Sequence, residues 1–277
     1  MEIRFAPNAH ATQRMTTEEL RSNFLAENLF EQGKITLIYS DVDRAIIGGI
    51  VPTSAPLQLL ASKKEMAADY FCERREGGII NVGEQGSVIV DGKSFELQKR
   101  DVLYIGRGSK EILFSSQKAD QPAYFYLMSY PAHKEYPTKL AKYSDAEPQH
   151  LGNQKDANKR TIFKYIHLNG IQSCQLVMGM TELDEGSVWN TMPPHTHVRR
   201  SEVYMYFNLK PESMVFHFMG EPVQSRNIIV RDKQAVISPS WSIHCGAGTT
   251  NYSFVWAMGG ENQEFSDMDA IPMKDLR

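Results

Sequence analysis

The chain has 277 residues, of which 42% are hydrophobic and 23% charged, and its formal net charge is -3. Such a composition supplies enough apolar surface for a folded core and excludes a disordered or collagen-like chain. The slight negative charge argues against a general nucleic-acid binder, because such a protein needs a basic excess to neutralise phosphates.

Cysteine usage and the lack of long apolar runs indicate a cytoplasmic protein. The three cysteines, Cys72, Cys174 and Cys245, form no CxxC pair, so we expect no disulfide framework. No run approaches the roughly 18 apolar residues that span a bilayer. The N-terminus lacks a basic segment followed by an apolar one, so we expect no signal peptide.

The first half of the chain predicts one helix followed by short strands. Thr16 is typical of an N-cap before acidic first-turn residues, which predicts a helix running to Phe30. Runs rich in β-branched and aromatic residues predict strands at 35–39, 45–51, 86–90, 93–97, 102–105 and 123–128. Asp91-Gly92 predicts a hairpin, because this dipeptide favours a type I′ turn.

Residues 131–160 interrupt this pattern with three prolines, many charges and few apolar runs, as is typical of a linker. Strands are predicted again at 161–165, 174–178, 202–209, 213–219, 227–230, 235–237 and 252–258. Closely spaced short strands without βαβ alternation favour a sandwich or barrel. We therefore predict an all-β fold with an N-terminal half at 1–135, an inter-domain strap at 136–160 and a C-terminal half at 161–277. Short similarities, such as those between 73–76 and 198–202, indicate a faint internal repeat.

The strongest chemical signal is the segment from Pro194 to Glu202, which contains His-x-His. Residues two apart on a strand project to the same face, so His195 and His197 can direct two imidazoles at one ion. A short turn can return the carboxylate of Glu202 to that point, and His244 would be the fourth ligand. Three imidazoles and one carboxylate suit a borderline divalent ion; zinc is the commonest fit, and iron or manganese is chemically possible.

These residues resemble the two motifs of the cupin superfamily. The first motif is matched by Gly186, His195, His197, Glu202 and Gly220, with a longer spacing than usual between its first two members. The second is matched by Pro239 and His244, with Trp241 where glycine is usual. The resemblance implies two cupin-like jelly-roll halves.

Longer strings resemble the family of 5-keto-4-deoxyuronate isomerases over nearly the whole chain. They lie at 39–44, 70–76, 189–193, 237–244, 260–263, 267–269 and 274–277. The resemblance implies a bicupin-like homohexamer in which His195, His197, Glu202 and His244 hold one Zn²⁺ per subunit. It also implies conversion of 5-dehydro-4-deoxy-D-glucuronate to 3-deoxy-D-glycero-2,5-hexodiulosonate during breakdown of pectin or other uronate polymers. In the first half Glu111 stands where His244 does and no His-x-His precedes it, so we expect no metal there.

An aldose–ketose interconversion moves a proton between adjacent carbons through an enediol, unless the metal promotes a hydride shift, and it develops charge on oxygen. The candidates for base or proton relay are Glu202, Glu261 and Tyr204.

The substrate carboxylate favours an arginine, Arg199 or Arg200, of which at most one should face the pocket; Arg160 and Lys164 are weaker candidates. Apolar walls are expected from Met178, Trp189, Met192, Trp241 and Met258, although core packing explains these equally well.

Two other functions stay open at this level. One is a different metal cupin, such as an iron-dependent dioxygenase or a sugar epimerase. The other is a non-enzymatic sugar-binding bicupin. Metal content, oxygen uptake and the phenotype of His195→Ala would separate them from the isomerase.

Overall fold

A computed structural model describes every residue from Met1 to Arg277. Its strands are β1 (Glu2–Arg4), β2 (Leu25–Ala26), β3 (Ile35–Ser40), β4 (Ile46–Ile50), β5 (Leu57–Gln58), β6 (Arg75–Asn81), β7 (Gly86–Val90), β8 (Lys93–Leu97), β9 (Val102–Ile105), β10 (Ile112–Ser116), β11 (Phe125–Pro131), β12 (Lys139–Ala141), β13 (Pro148–Leu151), β14 (Arg160–Ile166), β15 (Val177–Leu183), β16 (Trp189–Asn190), β17 (His195–Thr196), β18 (Arg200–Phe207), β19 (Val215–Glu221), β20 (Gln224–Val230), β21 (Gln234–Ser238), β22 (Cys245–Gly248), β23 (Ser253–Gly260) and β24 (Asp269–Ala270). Its helices are α1 (Ala9–Thr12), α2 (Thr17–Phe24) and α3 (Lys63–Met66), with 3₁₀ turns at Val42–Arg44, Phe71–Glu73, Tyr143–Asp145 and Met273–Asp275. None of these helices has the length and apolar character that a membrane crossing requires.

The chain divides into two compact units that interleave in sequence. Unit 1 comprises residues 1–4, 28–146 and 165–177, and unit 2 comprises residues 5–27, 147–164 and 178–277. The segment predicted as an inter-domain strap, 136–160, contains the whole of β12 and β13. The domain boundaries drawn from composition stay a prediction.

Each unit contains one seven-stranded and one four-stranded sheet. In unit 1 the orders are β1-β3-β4-β11-β6-β9-β12 and β5-β10-β7-β8, and in unit 2 they are β13-β14-β15-β23-β18-β21-β2 and β16-β22-β19-β20. The two units match in strand order. The five inner strands of the large sheet occur in the same relative chain order in both units, and so do the four strands of the small sheet. The predicted all-β fold with two cupin-like halves is confirmed.

Local sequence explains where the hairpin and the helix form. Val90 pairs with Lys93 across a two-residue loop in which Asp91 and Gly92 have φ values of 48° and 81°, so the predicted hairpin is confirmed. Thr16 caps α2 and makes a capping box with Glu19, as the sequence indicates. The helix ends at Phe24 rather than at the predicted Phe30, because Leu25–Ala26 pairs with β21 instead.

In unit 1 the two sheets share one apolar core, to which β6, β9 and β11 contribute from the large sheet and β7 and β10 from the small one. The carboxylate of Glu76 is fully buried. It accepts hydrogen bonds from the hydroxyl of Tyr104 at 2.8 Å and from the backbone N–H groups of Cys174, Gln175 and Leu176 at 2.7–2.9 Å. Four donors satisfy this buried charge and fix the segment that leads into β15.

In unit 2 the strand β18 lies between β23 and β21 and is buried along its whole length. Its side chains alternate between the two faces of the sheet, so Arg200, Glu202 and Tyr204 share one face. Directly across on β23, Met258 pairs with Glu202 and Trp256 with Tyr204. This shared face is the floor on which the candidate site is built.

Candidate metal centre

Four side chains of unit 2 converge on one buried point. The ligand atoms of His195, His197, Glu202 and His244 all lie within 4.8 Å of one another. Nε2 of His195 is 3.1 Å from Nε2 of His197 and 3.0 Å from Nε2 of His244. Oε2 of Glu202 is 3.0 Å from Nε2 of His197 and 2.8 Å from Nε2 of His244. The structure therefore brings together the four residues that the sequence proposed as ligands.

A turn after His197 places the first three of these side chains together. His195 lies on β17, which pairs with β24. The chain then reverses, with the N–H of Arg200 donating to the carbonyl of His197 at 3.4 Å. Glu202 follows as the third residue of β18 and is buried. The reversal of the chain brings its carboxylate next to the imidazole of His197.

A second turn places His244 immediately before β22. The N–H of Ser242 donates to the carbonyl of Pro239, and that of Ile243 donates to the carbonyl of Gly220, both at 2.9 Å. The hydroxyl of Ser242 accepts a hydrogen bond from the N–H of Gly220 at 2.9 Å. These bonds tie the turn to the end of β19, and the His244 side chain is thereby held in the interior of the unit.

The orientation of the His197 ring fits a metal site. Nδ1 of His197 donates to the carbonyl oxygen of Asp267 at 2.6 Å, so Nε2 is the ring nitrogen that faces the cluster. That Nε2 lies 3.0 Å from Oε2 of Glu202. Neighbouring ligands bound to one metal ion at about 2.0–2.2 Å are separated by about 3 Å, as these atoms are.

The electrostatics keep His195 able to bind a metal. Burial and the nearby His244 lower the pKa of His195 to about 2, so the ring is neutral at pH 7 and offers a lone pair. Burial, followed by the charge of Glu202, raises the pKa of Tyr204 well above its usual value of 10, so its phenol is protonated. The Tyr204 ring lies edge-on to that of His244 with centroids 5.3 Å apart.

The cluster opens into a cavity of about 280 Å³. Most of its walls come from alternate residues of adjacent strands in the large sheet, because side chains two apart share a face. The lining residues are Leu151, Arg160, Ile162, Thr181, Thr191, Met192, Pro193, His195, His197, Arg200, Glu202, Tyr204, Phe254, Trp256, Met258, Phe265 and Met268.

The structure separates the other candidate residues into two groups. Arg160, Arg200, Tyr204, Met192 and Met258 line the cavity together with Glu202. The remaining candidates lie elsewhere: Arg199, Glu261, Trp241, Lys164, Met178 and Trp189 are not among the lining residues. The guanidinium of Arg199 binds the carboxylates of Asp267 and Asp269, Glu261 is exposed, and the Trp241 ring packs edge-on to Phe24.

Arg160, a weaker candidate for the substrate carboxylate in the sequence analysis, lines the cavity. Its Nη1 donates to the carbonyl of Asn158 at 2.9 Å, and no carboxylate of the protein pairs with it. Burial lowers its pKa from the usual value, yet a guanidinium remains charged at pH 7. In the sequence Arg160 ends the predicted strap, one residue before the predicted strand 161–165. In the structure β14 begins at Arg160, so Arg160 and Ile162 share a face, and only the sheet order shows that β14 belongs to the same sheet as β18.

Phe265 and Met268 were missed by sequence reasoning. They belong to residues 261–270, a segment between β23 and the end of β24 in which no side chain is buried. Their polar neighbours resemble an ordinary surface loop. Only the tertiary structure shows that the loop crosses the cavity.

Replacing a ligand should abolish metal binding. For His195→Ala and His244→Ala we expect metal content to fall from about one ion per chain to near zero. Each variant loses one of the four donors of the buried site, and the remaining three should not retain the ion against a chelator. The measurement is elemental analysis after dialysis against a weak chelator, with circular dichroism to verify folding. His150→Ala, at an exposed position, is the control that should keep its metal; a folded His244→Ala protein with full metal would contradict the assignment.

The relationship of the chain to known proteins agrees with this geometry. It is 54% identical, over its full length and that of the relative, to the 4-deoxy-L-threo-5-hexosulose-uronate ketol-isomerase of Caldicellulosiruptor bescii, and 53% identical over the same extent to that of Halalkalibacterium halodurans. Among solved structures, an IolB-like protein from Salmonella typhimurium superposes with a TM-score of 0.72 at 15% identity, covering 90% of this chain and 97% of that one; this shows a shared fold. The KduI/IolB family model matches residues 24–272. The chain therefore belongs to the KduI/IolB family.

Proposed function

We propose that the protein is a metal-dependent ketol isomerase that converts 5-dehydro-4-deoxy-D-glucuronate to 3-deoxy-D-glycero-2,5-hexodiulosonate in uronate catabolism. The observation that carries this proposal is full-length identity of 50% or more to several ketol-isomerases of that name. The cavity adds independent support, because it combines a candidate metal centre with arginines suited to an anionic sugar. Neither a dioxygenase nor a non-enzymatic sugar-binding protein has comparable support.

We propose zinc as the metal, since three imidazoles and one carboxylate are a common zinc ligand set. His195, His197, Glu202 and His244 would hold it. When bound, the ion would act as a Lewis acid that stabilises negative charge on the substrate oxygens. Elemental analysis of the protein as isolated would identify the metal.

Arg160 is our proposed partner for the substrate carboxylate. It is the cavity arginine whose guanidinium is least occupied by the protein, with one hydrogen bond to a backbone carbonyl. Arg200 is fully buried and donates to the carbonyls of Glu264, Phe265 and Asp267. A planar guanidinium with free donors binds a carboxylate in a bidentate manner, so Arg160 would orient the substrate. Arg200 would instead stabilise the cavity wall through its hydrogen bonds to residues 264–267.

Tyr204 and Glu202 are the proposed groups for moving protons. The phenol of Tyr204 lies 3.1 Å from the hydroxyl of Thr191 and, being protonated, can donate to the oxygen on which charge develops. Glu202 is the only carboxylate among the lining residues. Its Oε2 faces His197 and His244, so we propose that its other oxygen, Oε1, carries the proton between the two carbons. Glu261, the third candidate, is exposed and lies outside the lining, so we do not propose it as the base.

The apolar walls complete the site by excluding water. Phe254, Trp256, Met258 and Phe265 line the cavity, the first three from β23 beside the charged groups of β18. An apolar boundary strengthens the electrostatic interactions inside and protects a reactive enediol. For the protein as a whole, we further propose a cytoplasmic homohexamer, on the basis of the family resemblance.

The function itself is tested by a coupled assay. The unsaturated uronate released by a polysaccharide lyase is supplied to the metal-loaded protein, and we expect isomerisation that is lost with chelator and restored by Zn²⁺. Oxygen uptake is followed in the same samples and should stay at background. Fully metallated protein that fails to isomerise this substrate, or consumes oxygen with it, would refute the proposal.

Removing the charge of Arg160 should weaken substrate binding. We expect Arg160→Met to lower kcat/KM by about 10–100-fold, mainly through KM, since a hydrogen bond to a charged group contributes about 1.5–3 kcal/mol. Arg160→Lys should be intermediate. Steady-state kinetics and metal content are the measurements, and Lys155→Met, which removes an exposed charge of unit 2, is the control. An unchanged KM in Arg160→Met would contradict the role.

Removing the hydroxyl of Tyr204 should affect the chemical step rather than the metal. For Tyr204→Phe we expect kcat to fall by about 100-fold or more, which is the range of general acid catalysis, with metal content unchanged. Tyr206→Phe is the matched control, because Tyr206 lies on the same face of β18 but outside the cavity lining. Equal kcat values for Tyr204→Phe and the unmodified protein would exclude the phenol from the reaction.

A further inference from the structure

Residues 261–270 cross the candidate metal centre. They are called the strap from here on and are distinct from the inter-domain strap predicted at 136–160. No side chain in it is buried, yet Phe265 and Met268 line the cavity. The strap therefore has no apolar core of its own. Phe265 packs on the ring of Trp256, with centroids 5.3 Å apart, and polar contacts supply the rest of the strap's attachment to unit 2.

On its outer side the strap is held by one arginine. Nε of Arg199 donates to both carboxylate oxygens of Asp267 at 2.8 and 2.9 Å, and Nη2 donates to those of Asp269 at 2.9 and 3.1 Å. Asn262 adds a hydrogen bond from Nδ2 to Asp267 at 2.6 Å. Arg199, followed by Asn262, holds the pKa of the Asp267 carboxyl well below its usual range. One guanidinium thus joins two carboxylates that would otherwise repel each other.

On its inner side the same strap contacts a candidate metal ligand. The backbone carbonyl of Asp267 accepts the Nδ1 proton of His197 at 2.6 Å and a hydrogen bond from Arg200 at 3.1 Å. By contrast, Nδ1 of His244 is buried without a partner. Asp267 therefore links the Arg199 contacts, made by its side chain, to the orientation of His197, set by its carbonyl.

We propose that Arg199 is a positioning residue that latches the strap over the metal centre, and that it acts through Asp267 on His197 to retain the metal and through Phe265 and Met268 to close the cavity. An exposed single ion pair contributes little. Here, however, the arginine binds two carboxylates at once and acts on a segment with no buried side chain to hold it. Loss of the hydrogen bond that orients a histidine ligand typically costs 10–100-fold in metal affinity.

The proposal is tested by metal release and hydrogen exchange on the Zn²⁺-loaded full-length protein. For Arg199→Ala we expect Zn²⁺ transfer to a chromogenic chelator to accelerate by about 10-fold or more, together with faster amide exchange in residues 261–270. Arg199→Lys, which can pair with only part of this arrangement, should lie between Arg199→Ala and the unmodified protein. Lys159→Ala removes a comparable exposed pair with Asp184 in the same unit and should change neither quantity.

The outcomes separate a latch from a general structural role. Faster exchange in the strap with unchanged Zn²⁺ release would overturn the link to His197, and faster release without faster exchange would overturn the role of the strap. With Zn²⁺ saturating, KM should rise in Arg199→Ala while kcat changes little. This last readout rests on the proposed function, whereas release and exchange need no substrate; a failure of the isomerase assay would therefore leave the latch testable.

Discussion

Three imidazole nitrogens and one carboxylate oxygen facing one another at about 3 Å are the arrangement on which the rest of unit 2 depends. Because Nδ1 of His197 donates its proton outward to Asp267, Nε2 is directed inward at Glu202 and the other two imidazoles. Polar atoms buried this close together destabilise a protein unless shared protons or a cation join them. The surrounding fold therefore presents a group of side chains that could hold a metal ion: β18 carries Glu202, and two tight turns carry the histidines.

The internal repeat shows how one fold supports a site in one unit alone. The register of β6 and β18 matches Gly77 to Glu202, since these residues pair with Ile105 and Ser238 at the ends of β9 and β21. Glu111 precedes β10 as His244 precedes β22, and it is exposed. The same strand order thus presents a candidate ligand, Glu202, in unit 2 and a glycine in unit 1. In unit 1 a buried carboxylate, that of Glu76, binds backbone N–H groups.

Charge is distributed so that the two adjacent arginines have different roles. Arg200 lies in the lining with Glu202 and Tyr204, because these residues are two apart on β18 and share a face. Arg199 stands at the opposite parity, where the acidic residues of the strap neutralise it. Arg160 enters the same cavity from β14 and has no acidic partner in the protein. A chain of net charge -3 can thus offer an anionic sugar one locally uncompensated positive charge.

The sequence by itself determined the class of fold, the hairpin at Asp91-Gly92 and three candidate ligands, because each depends on local spacing: a turn dipeptide, the period of two on a strand, and a short return from His197 to Glu202. The fourth, His244, is distant in the chain and was identified by the resemblance of its segment to the second cupin motif. Parity also limited the pocket to one of Arg199 and Arg200. Only the tertiary structure decided that Arg160, Phe265 and Met268 join them, that Glu261 and Trp241 do not, and that the helix after Thr16 ends at Phe24. These outcomes depend on which strands are neighbours in the sheet and on where the strap 261–270 crosses the cavity. They cannot be read from one sequence, because contacts between residues up to about a hundred positions apart leave no periodic signal in a single chain.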